Sequence, residues 1–357
     1  MNKKFAIIFG TRPEYLKLKS VIDAFLLSYE TPFGRFSGES HNPNQSSIHC
    51  KIIYVKQHST IDENINCEHD ILPIEQRNTG DRLCSIGEQI MAQLPLYISD
   101  CTYIIVQGDT ATAFYSAICA FQLQKKVVHI EAGLRTYDLE KPFPEEAYRQ
   151  MISRVASVHF TPHSDSSKLL LEEKVSGEIH MVGNTILDLI SSYNLQCSME
   201  NVVMITFHRR ENWDKIDILL EGLRKLTKKT PHIKYIWYLH HNPVLQLKVR
   251  EAIKELPTVE LQSPCNHKEF TQRIASSNFL ITDSGGVQEE ASFLGKHCIV
   301  LRASTERSHI PKKYITVLED YSKLADVVEN VPGELLEPCN VYGYGNSAEQ
   351  MMQKIRV

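Results

Sequence analysis

Six short apolar runs in this sequence stop at clusters of residues that can do chemistry. The most pointed is Ile281–Lys296, ITDSGGVQEEASFLGK, where an apolar run gives way to Ser284-Gly285-Gly286 and then to a helical pattern. Free N–H groups at a helix start bind anions, and glycine lets a phosphate approach the backbone. The plainer alternative is a tight turn in which Ser284 caps the helix while Glu289 and Glu290 complement its dipole. Glu290 lies deeper in the helix than dipole pairing needs, and a carboxylate there can accept both hydroxyls of a ribose. The stretch has neither the Gly-x-Gly-x-x-Gly spacing nor a P-loop, so NAD and ATP are not indicated.

The other clusters divide into anion binders and proton carriers. Gly10-Thr11-Arg12 follows FAIIF, and arginine offers two parallel donors to a phosphate. Lys17 follows at a spacing that could face the same mouth; singly, a surface arginine and a helix-face lysine explain both. Asp109 (after YIIVQ), Glu131 (after VVHI), Glu145 and Glu146 are acid/base candidates, because a strand-end carboxylate in a closed cleft can have its pKa raised. The bland alternatives are an N-cap for Asp109 and dipole pairing after Pro144 for the glutamate pair. His208-Arg209-Arg210-Glu211, after VVMITF, places an imidazole beside two guanidiniums, able to donate to a leaving phosphate or move a proton. A charged loop closed by a salt bridge to Glu211 is the competing explanation. His240 and His241, after YIWYL, read as ordinary surface residues. No His/Asp/Glu set has metal-ligand spacing, so a metal is not called for, and the Gly-x-Ser-x-Gly elbow of esterases is absent.

Those clusters need strand ends to hold them. FAIIF (5–9), KIIYV (51–55), YIIV (103–106), VVHI (127–130), VHFT (158–161) and IHMV (179–182) form one series of predicted strands. VVMITF (202–207), YIWYL (235–239), VELQ (259–262), FLIT (279–282), CIVLR (298–302) and ITVLE (315–319) form a second. Continuous apolar strands alternating with helical patterns predict parallel sheets covered on both faces. The polar run SSYNLQCSME (191–200) reads as a linker and Thr31–Ser47 as a loop. The expected class is therefore α/β: two Rossmann-like doubly wound parallel-sheet domains facing a central cleft. The boundaries expected are 1–190 for the first, carrying the acid/base residues, and 200–335 for the second, binding the nucleotide. A segment at 336–357, with a helix, is expected to pack back on the first.

Bulk properties set limits. With 357 residues there is length for two cores, and a net charge of −4 argues against nucleic acid as a partner. The nine cysteines show no Cys-x-x-Cys pairing and read as reduced thiols. The apolar run Phe5–Phe9 is too short for a signal segment and nothing resembles a membrane span, so the expected location is cytoplasmic.

Taken together, GTRPEYLKLKSVI (10–22), QGDTATA (107–113), HIEAGLRTYDLEKPFPEEAYR (129–149), VGNTILDLI (182–190), TFHRREN (206–212), HHNP (240–243), TDSGGVQEEASFLGK (282–296) and TER (305–307) resemble the non-hydrolysing UDP-N-acetylglucosamine 2-epimerases, which have the GT-B fold. The segments run in order over most of the chain. The resemblance implies catalytic roles for Asp109, Glu131, Glu145 and His208. It implies substrate and UDP binding by Arg12, Lys17, Arg149, Ser284, Gly285, Gly286, Glu290 and Arg307. It further implies a UDP-sugar substrate, no cofactor, a homodimer, and a place in surface-polysaccharide synthesis. The family inverts C2 by eliminating UDP to a 2-acetamidoglucal and adding it back.

Two relatives of that reading stay open: a hydrolysing enzyme that releases UDP and free sugar, and a non-catalytic sugar-nucleotide binder. Three positions depart from the family pattern. Tyr148 replaces an asparagine and is expected to set a bulky ring beside the acid Glu145. Ala303 stands where an acidic residue is usual. Gln57-His58-Ser59-Thr60-Ile61 lacks the charge tied to allosteric activation, which argues against that control.

Overall fold

The computed structural model describes residues 3–29, 49–57, 65–76, 81–239, 242–303, 305, 307 and 309–355. The insert at 31–47, His58 to Ile61, His240, His241 and Glu306 lie outside these. The chain divides into two compact units, Met1–Leu189 with Tyr342–Val357, and Ile190–Val341.

The first unit is built on a seven-stranded sheet whose strand pairs are all parallel. Its strands are β1 (Lys4–Phe9), β2 (His49–Lys56), β3 (Asp70–Pro73), β4 (Tyr103–Gln107), β5 (Lys126–Ile130), β6 (Ala156–Thr161) and β7 (Glu178–Met181). They lie in the order β3-β2-β1-β4-β5-β6-β7. Between them run the helices α1 (Arg12–Tyr29), α2 (Arg82–Ile98), α3 (Ala111–Gln122), α4 (Glu145–Val155) and α5 (Ser164–Glu172), and α6 (Thr185–Ser192) follows β7.

Strand alternation accounts for the two covered faces. Phe5, Ile7 and Phe9 pack with Leu18 and Val21 of α1, while Ala6 and Ile8 face Ile86, Ile90 and Leu94 of α2 with Ala113 and Ala117 of α3. Each large side chain so buried contributes about 1.5–3 kcal/mol of transfer free energy. A strand apolar on both faces has no amphipathic alternation and settles only in the interior of a parallel sheet.

The second unit holds a six-stranded sheet, again with every pair parallel. Its strands are β8 (Val202–Thr206), β9 (Lys234–Tyr238), β10 (Val259–Gln262), β11 (Phe279–Thr282), β12 (His297–Val300) and β13 (Ile315–Val317), ordered β10-β9-β8-β11-β12-β13. The helices are α7 (Ile216–Lys229), α8 (Pro243–Ala252), α9 (His267–Ser276), α10 (Gly285–Phe293) and the short α11 (Leu324–Val327). Asn242 caps α8 by accepting from Val244 N–H at 2.9 Å, with Pro243 as its first residue, and Asn266 caps α9 by accepting from Glu269 N–H at 2.9 Å. The stretch after α6 is pinned to this unit: Ser198 N–H and Glu200 N–H donate to the carbonyls of Ala275 and Ser276. The buried Lys296 donates its ammonium to the carbonyls of Ser198 and Ser277.

A last helix, α12 (Ser347–Ile355), belongs to the first unit. The carboxylate of Asp188 in α6 accepts from Ser347 N–H (2.9 Å) and Ala348 N–H (2.7 Å), and Met351 enters the core beside Phe5.

The two predicted strand series are present, with one addition. β3 has no long apolar run, being a four-residue edge strand whose Asp70 and Ile71 are exposed. An edge strand has little to bury, so periodicity does not announce it. The alternation of strand and helix also lapses once in the second unit, where β12 passes to β13 with no helix among the described residues.

Candidate functional site

In each unit the polar residues gather where strand order reverses. β1 lies beside β4, and β8 beside β11, so the connections leaving these pairs wind to opposite sides and open a crevice at the strands' carboxyl ends.

In the first unit, the loop after β1 carries Arg12 and the loop after β4 carries Asp109. Gly10 has to be glycine, because a Cβ there would lie 2.2 Å from Thr112 Oγ1. Thr110, not Asp109, caps α3: its Oγ1 accepts from Ala113 N–H at 3.1 Å. Asp109 is thereby left for another partner and accepts from Arg149 Nε at 2.7 Å. The imidazole of His129 donates from Nε2 to the Gly108 carbonyl at 2.8 Å, tying the same turn to β5. Burial pushes the His129 pKa down to about 3, so the ring is neutral.

Glu131 follows β5 at φ +63°, a conformation few non-glycine residues adopt and one that collects at functional sites. Its Oε2 accepts from Lys17 Nζ at 2.5 Å and from the Gln107 amide. Gly133 follows at φ +84°, where a Cβ would lie 2.4 Å from the Ser166 carbonyl oxygen.

The adjacent glutamates of α4 part company. Glu146 is fully buried and accepts from Thr136 N–H (2.9 Å), Tyr137 N–H (3.2 Å) and the Gln150 amide (2.9 Å), anchoring the loop before α4. These donors hold its carboxyl below the usual range against the opposing pull of burial. Glu145 keeps Oε2 buried with no hydrogen-bond partner. A buried, unpartnered carboxylate oxygen is costly in a folded protein and calls for a ligand. The ring of Tyr148, expected beside Glu145, stacks on Phe114 of α3 at 4.5 Å and 9°.

In the second unit, Asp283 is the hidden organiser. Wholly buried at the end of β11, it accepts from His208 N–H (3.0 Å), Arg209 N–H (2.9 Å) and Asn212 Nδ2 (3.2 Å). It thereby sets the backbone of the loop that carries His208. Ser284 does cap α10, accepting from Val287 N–H at 3.5 Å, a long bond that leaves this helix start weakly satisfied. A Cβ on Gly286 would meet nothing within 4 Å, so its backbone is open to an approaching group. The Arg307 guanidinium lies beside Gly285, 3.1 Å from where a Cβ would stand, and donates to Glu289 at 2.6 Å. The site thus gathers Ser284, Gly285, Gly286 and Arg307.

That pairing separates the two glutamates of α10. Glu289 is taken by Arg307. Glu290 keeps Oε2 buried without a partner, while its Oε1 lies 3.4 Å from His267 Nε2.

Sequence reading passed over Glu14, Gln107, Glu146's anchoring role, His267 and the function of Asp283. Thr11-Arg12-Pro13-Glu14 has the spacing of a capping box and could have marked Glu14. No local signal marks Gln107, His267 or Asp283, whose partners are 24, 23 and about 75 residues away in the sequence, and Glu146 is not told from Glu145 although its partners are near.

Two doubly wound parallel-sheet α/β domains are consistent with the GT-B fold. The family model described as UDP-N-acetylglucosamine 2-epimerase matches residues 42–356. The UDP-N-acetylglucosamine 2-epimerase of Campylobacter jejuni is 29% identical over 99% of this chain and 97% of its own. A putative UDP-N-acetylglucosamine 2-epimerase of Clostridium acetobutylicum is 31% identical over 99% of this chain and 94% of its own. The crystal structure of UDP-GlcNAc 2-epimerase from Neisseria meningitidis bound to UDP-GlcNAc superposes with a TM-score of 0.83 at 28% identity, covering 99% of both chains. The chain belongs to the UDP-N-acetylglucosamine 2-epimerase family, and so to the isomerases.

Proposed function

We propose that the chain interconverts UDP-N-acetylglucosamine and UDP-N-acetylmannosamine, or a close variant of that sugar, by elimination and re-addition of UDP. The C2 proton is not acidified by a carbonyl, so simple deprotonation faces a very high barrier. Elimination avoids it: the C1–O bond breaks, its electron pair leaves with UDP, a carboxylate takes the C2 proton, and a C1–C2 double bond remains. In the return step a proton reaches C2 from the opposite face and UDP oxygen rejoins C1.

The observation that carries this reading is the set of three first-unit carboxylates in three different environments. Asp109 is paired with Arg149, Glu131 with Lys17, and Glu145 has an oxygen without a partner. A simple binder of a diphosphate has no use for carboxylates gathered there. An inverting proton transfer needs distinct acid and base groups, and environments that differ are how one site supplies both.

Arg12, His208, Arg307 and the α10 start at Ser284–Gly286 would meet the charge that develops on the diphosphate. Preorganised groups of this kind lower the barrier by about 3–4 kcal/mol each. Glu290 would accept the ribose hydroxyls. Two domains share this work, the first carrying the acid/base residues and the second the nucleotide.

The match to Methanocaldococcus jannaschii UDP-GlcNAc 2-epimerase in complex with UDP-GlcNAc and UDP, at 26% identity and a TM-score of 0.76, supports a UDP-sugar substrate. We further read the protein as a cytosolic homodimer. All nine cysteines are free, and no described helix is long and apolar enough to cross a membrane. Exposed Leu96 of α2 and Phe121 of α3 are at the same end of neighbouring helices and would be covered by a second copy.

Incubation with UDP-N-acetylglucosamine in D2O, followed by NMR, tests the reaction. Deuterium at C2 of an intact UDP-sugar is the expected result. Release of UDP with free sugar would assign a hydrolase instead, and an unchanged substrate would defeat the reading.

A further inference from the structure

Glu14 lies in the first turn of α1 and is only 1% exposed. Its Oε2 accepts from Gly10 N–H (3.2 Å), Thr11 N–H (2.8 Å) and Thr11 Oγ1 (2.7 Å). With Thr11 as cap and Glu14 three residues later this is a capping box, a common way to close a helix start.

Three features go beyond that ordinary role. The second oxygen, Oε1, accepts from Thr110 Oγ1 at 2.6 Å, across 96 residues of sequence. Thr110 uses the same hydroxyl oxygen to cap α3. The carboxylate is buried, whereas a capping box at a protein surface needs no burial and is more cheaply made in water. One side chain therefore ties the starts of two helices at the first unit's switch point. Arg12 directly follows one of its partners, and Asp109 directly precedes the other.

We infer that Glu14 is a positioning residue, fixing the Arg12 loop against the Asp109 loop so that the diphosphate cation and the acid/base carboxylate keep one spacing. This rests on the assignment of Arg12 and Asp109 to the reaction proposed above. Glu14 does not touch substrate; it acts through the two threonines. Elimination needs C–O cleavage and proton removal to be matched in space, and a displacement of about 1 Å between contributing groups can cost about 100-fold in rate.

Three variants decide the matter. Glu14→Gln keeps the shape but turns an acceptor into a donor facing donors. It is expected to lower kcat for C2 exchange about 100-fold while KM and UDP affinity change less than about 3-fold. Thr110→Val removes the hydroxyl and is expected to fall in the same direction, about 10-fold, whereas Thr110→Ser returns most of that loss. Loss of the α3 cap alone would lower the unfolding midpoint of Thr110→Val without splitting kcat from KM. Should Glu14→Gln not fold, the Thr110 pair carries the test.

Wild-type kcat in folded Glu14→Gln, or equal kcat in Thr110→Val and Thr110→Ser, would overturn the inference. Undiminished exchange in Asp109→Asn would instead remove the site assignment itself, whatever Glu14 does.

Discussion

The two switch points of this molecule are built alike and equipped differently. In the first unit the carboxylates Asp109 and Glu131 have cations of their own, Arg149 and Lys17. In the second, the α10 start, the Gly286 backbone and one oxygen of Glu290 remain open. Each crevice nevertheless has a buried acidic organiser that never needs to meet a ligand, Glu14 in one and Asp283 in the other. The contrast teaches that proton chemistry and anion grip demand opposite preparation. Two of the groups assigned to proton transfer, Asp109 and Glu131, are held by cations, whereas the helix start assigned to the phosphate and the Glu290 oxygen assigned to the ribose are left open.

If that division of labour is right, losses should also divide. Asp109→Asn is expected to lower C2 exchange about 10³-fold while UDP affinity, measured by calorimetry, stays within about 2-fold. A parallel loss of affinity would blur the two roles. Asp283→Ala should act on the opposite side. It strands the donors of His208, Arg209 and Asn212, lowering unfolding free energy by about 3 kcal/mol in a urea titration and weakening UDP binding. Unchanged stability would show that the loop holds itself.

Glu290→Gln is expected to be milder, about 10-fold weaker UDP binding with kcat nearly preserved, because one acceptor of the ribose hydroxyls is lost. A collapse of kcat would move Glu290 into the proton chemistry.

Near neutral pH the smallest effect concerns His129, which is buried neutral with a pKa pushed down to about 3. Between that value and the ordinary imidazole range near 6.5, the unfolded chain binds a proton that the folded one refuses. Stability therefore falls as pH drops through this window, by up to about 1.4 kcal/mol per pH unit from this residue. Comparing the pH dependence of unfolding for wild type and His129→Gln should show a flatter slope in the variant. An unchanged slope would remove His129 from the account.

Much of the fold can be read from the chain because both faces of every central strand are apolar, as in FAIIF and VVMITF. β3 escapes because Leu72 is the one buried side chain of DILP. The site is legible to a different degree. Ser284 as cap and the glycines after it are local facts, and the structure has both the cap and the open backbone. Asp109 looks as good a cap as Thr110 in one dimension, and only the fold shows which residue turned toward Ala113 N–H. Glu145 and Glu146 are indistinguishable as a pair of letters, yet one anchors a loop and the other keeps an oxygen unsatisfied. That the Tyr148 ring stacks on Phe114 is likewise invisible in the sequence, because adjacency says nothing about which partner across the fold a ring finds.

By itself the sequence determined the strand and helix periods, the glycines that let backbones come close, and the capping residues. These follow from interactions within a few positions. Tertiary structure alone decided that β1 lies against β4 and β8 against β11, and with that which charges meet. Strand order depends on how crossover helices bury area on the two faces of a sheet, a sum over the whole unit. Contacts such as Glu14 with Thr110 exist only after that sum has been settled.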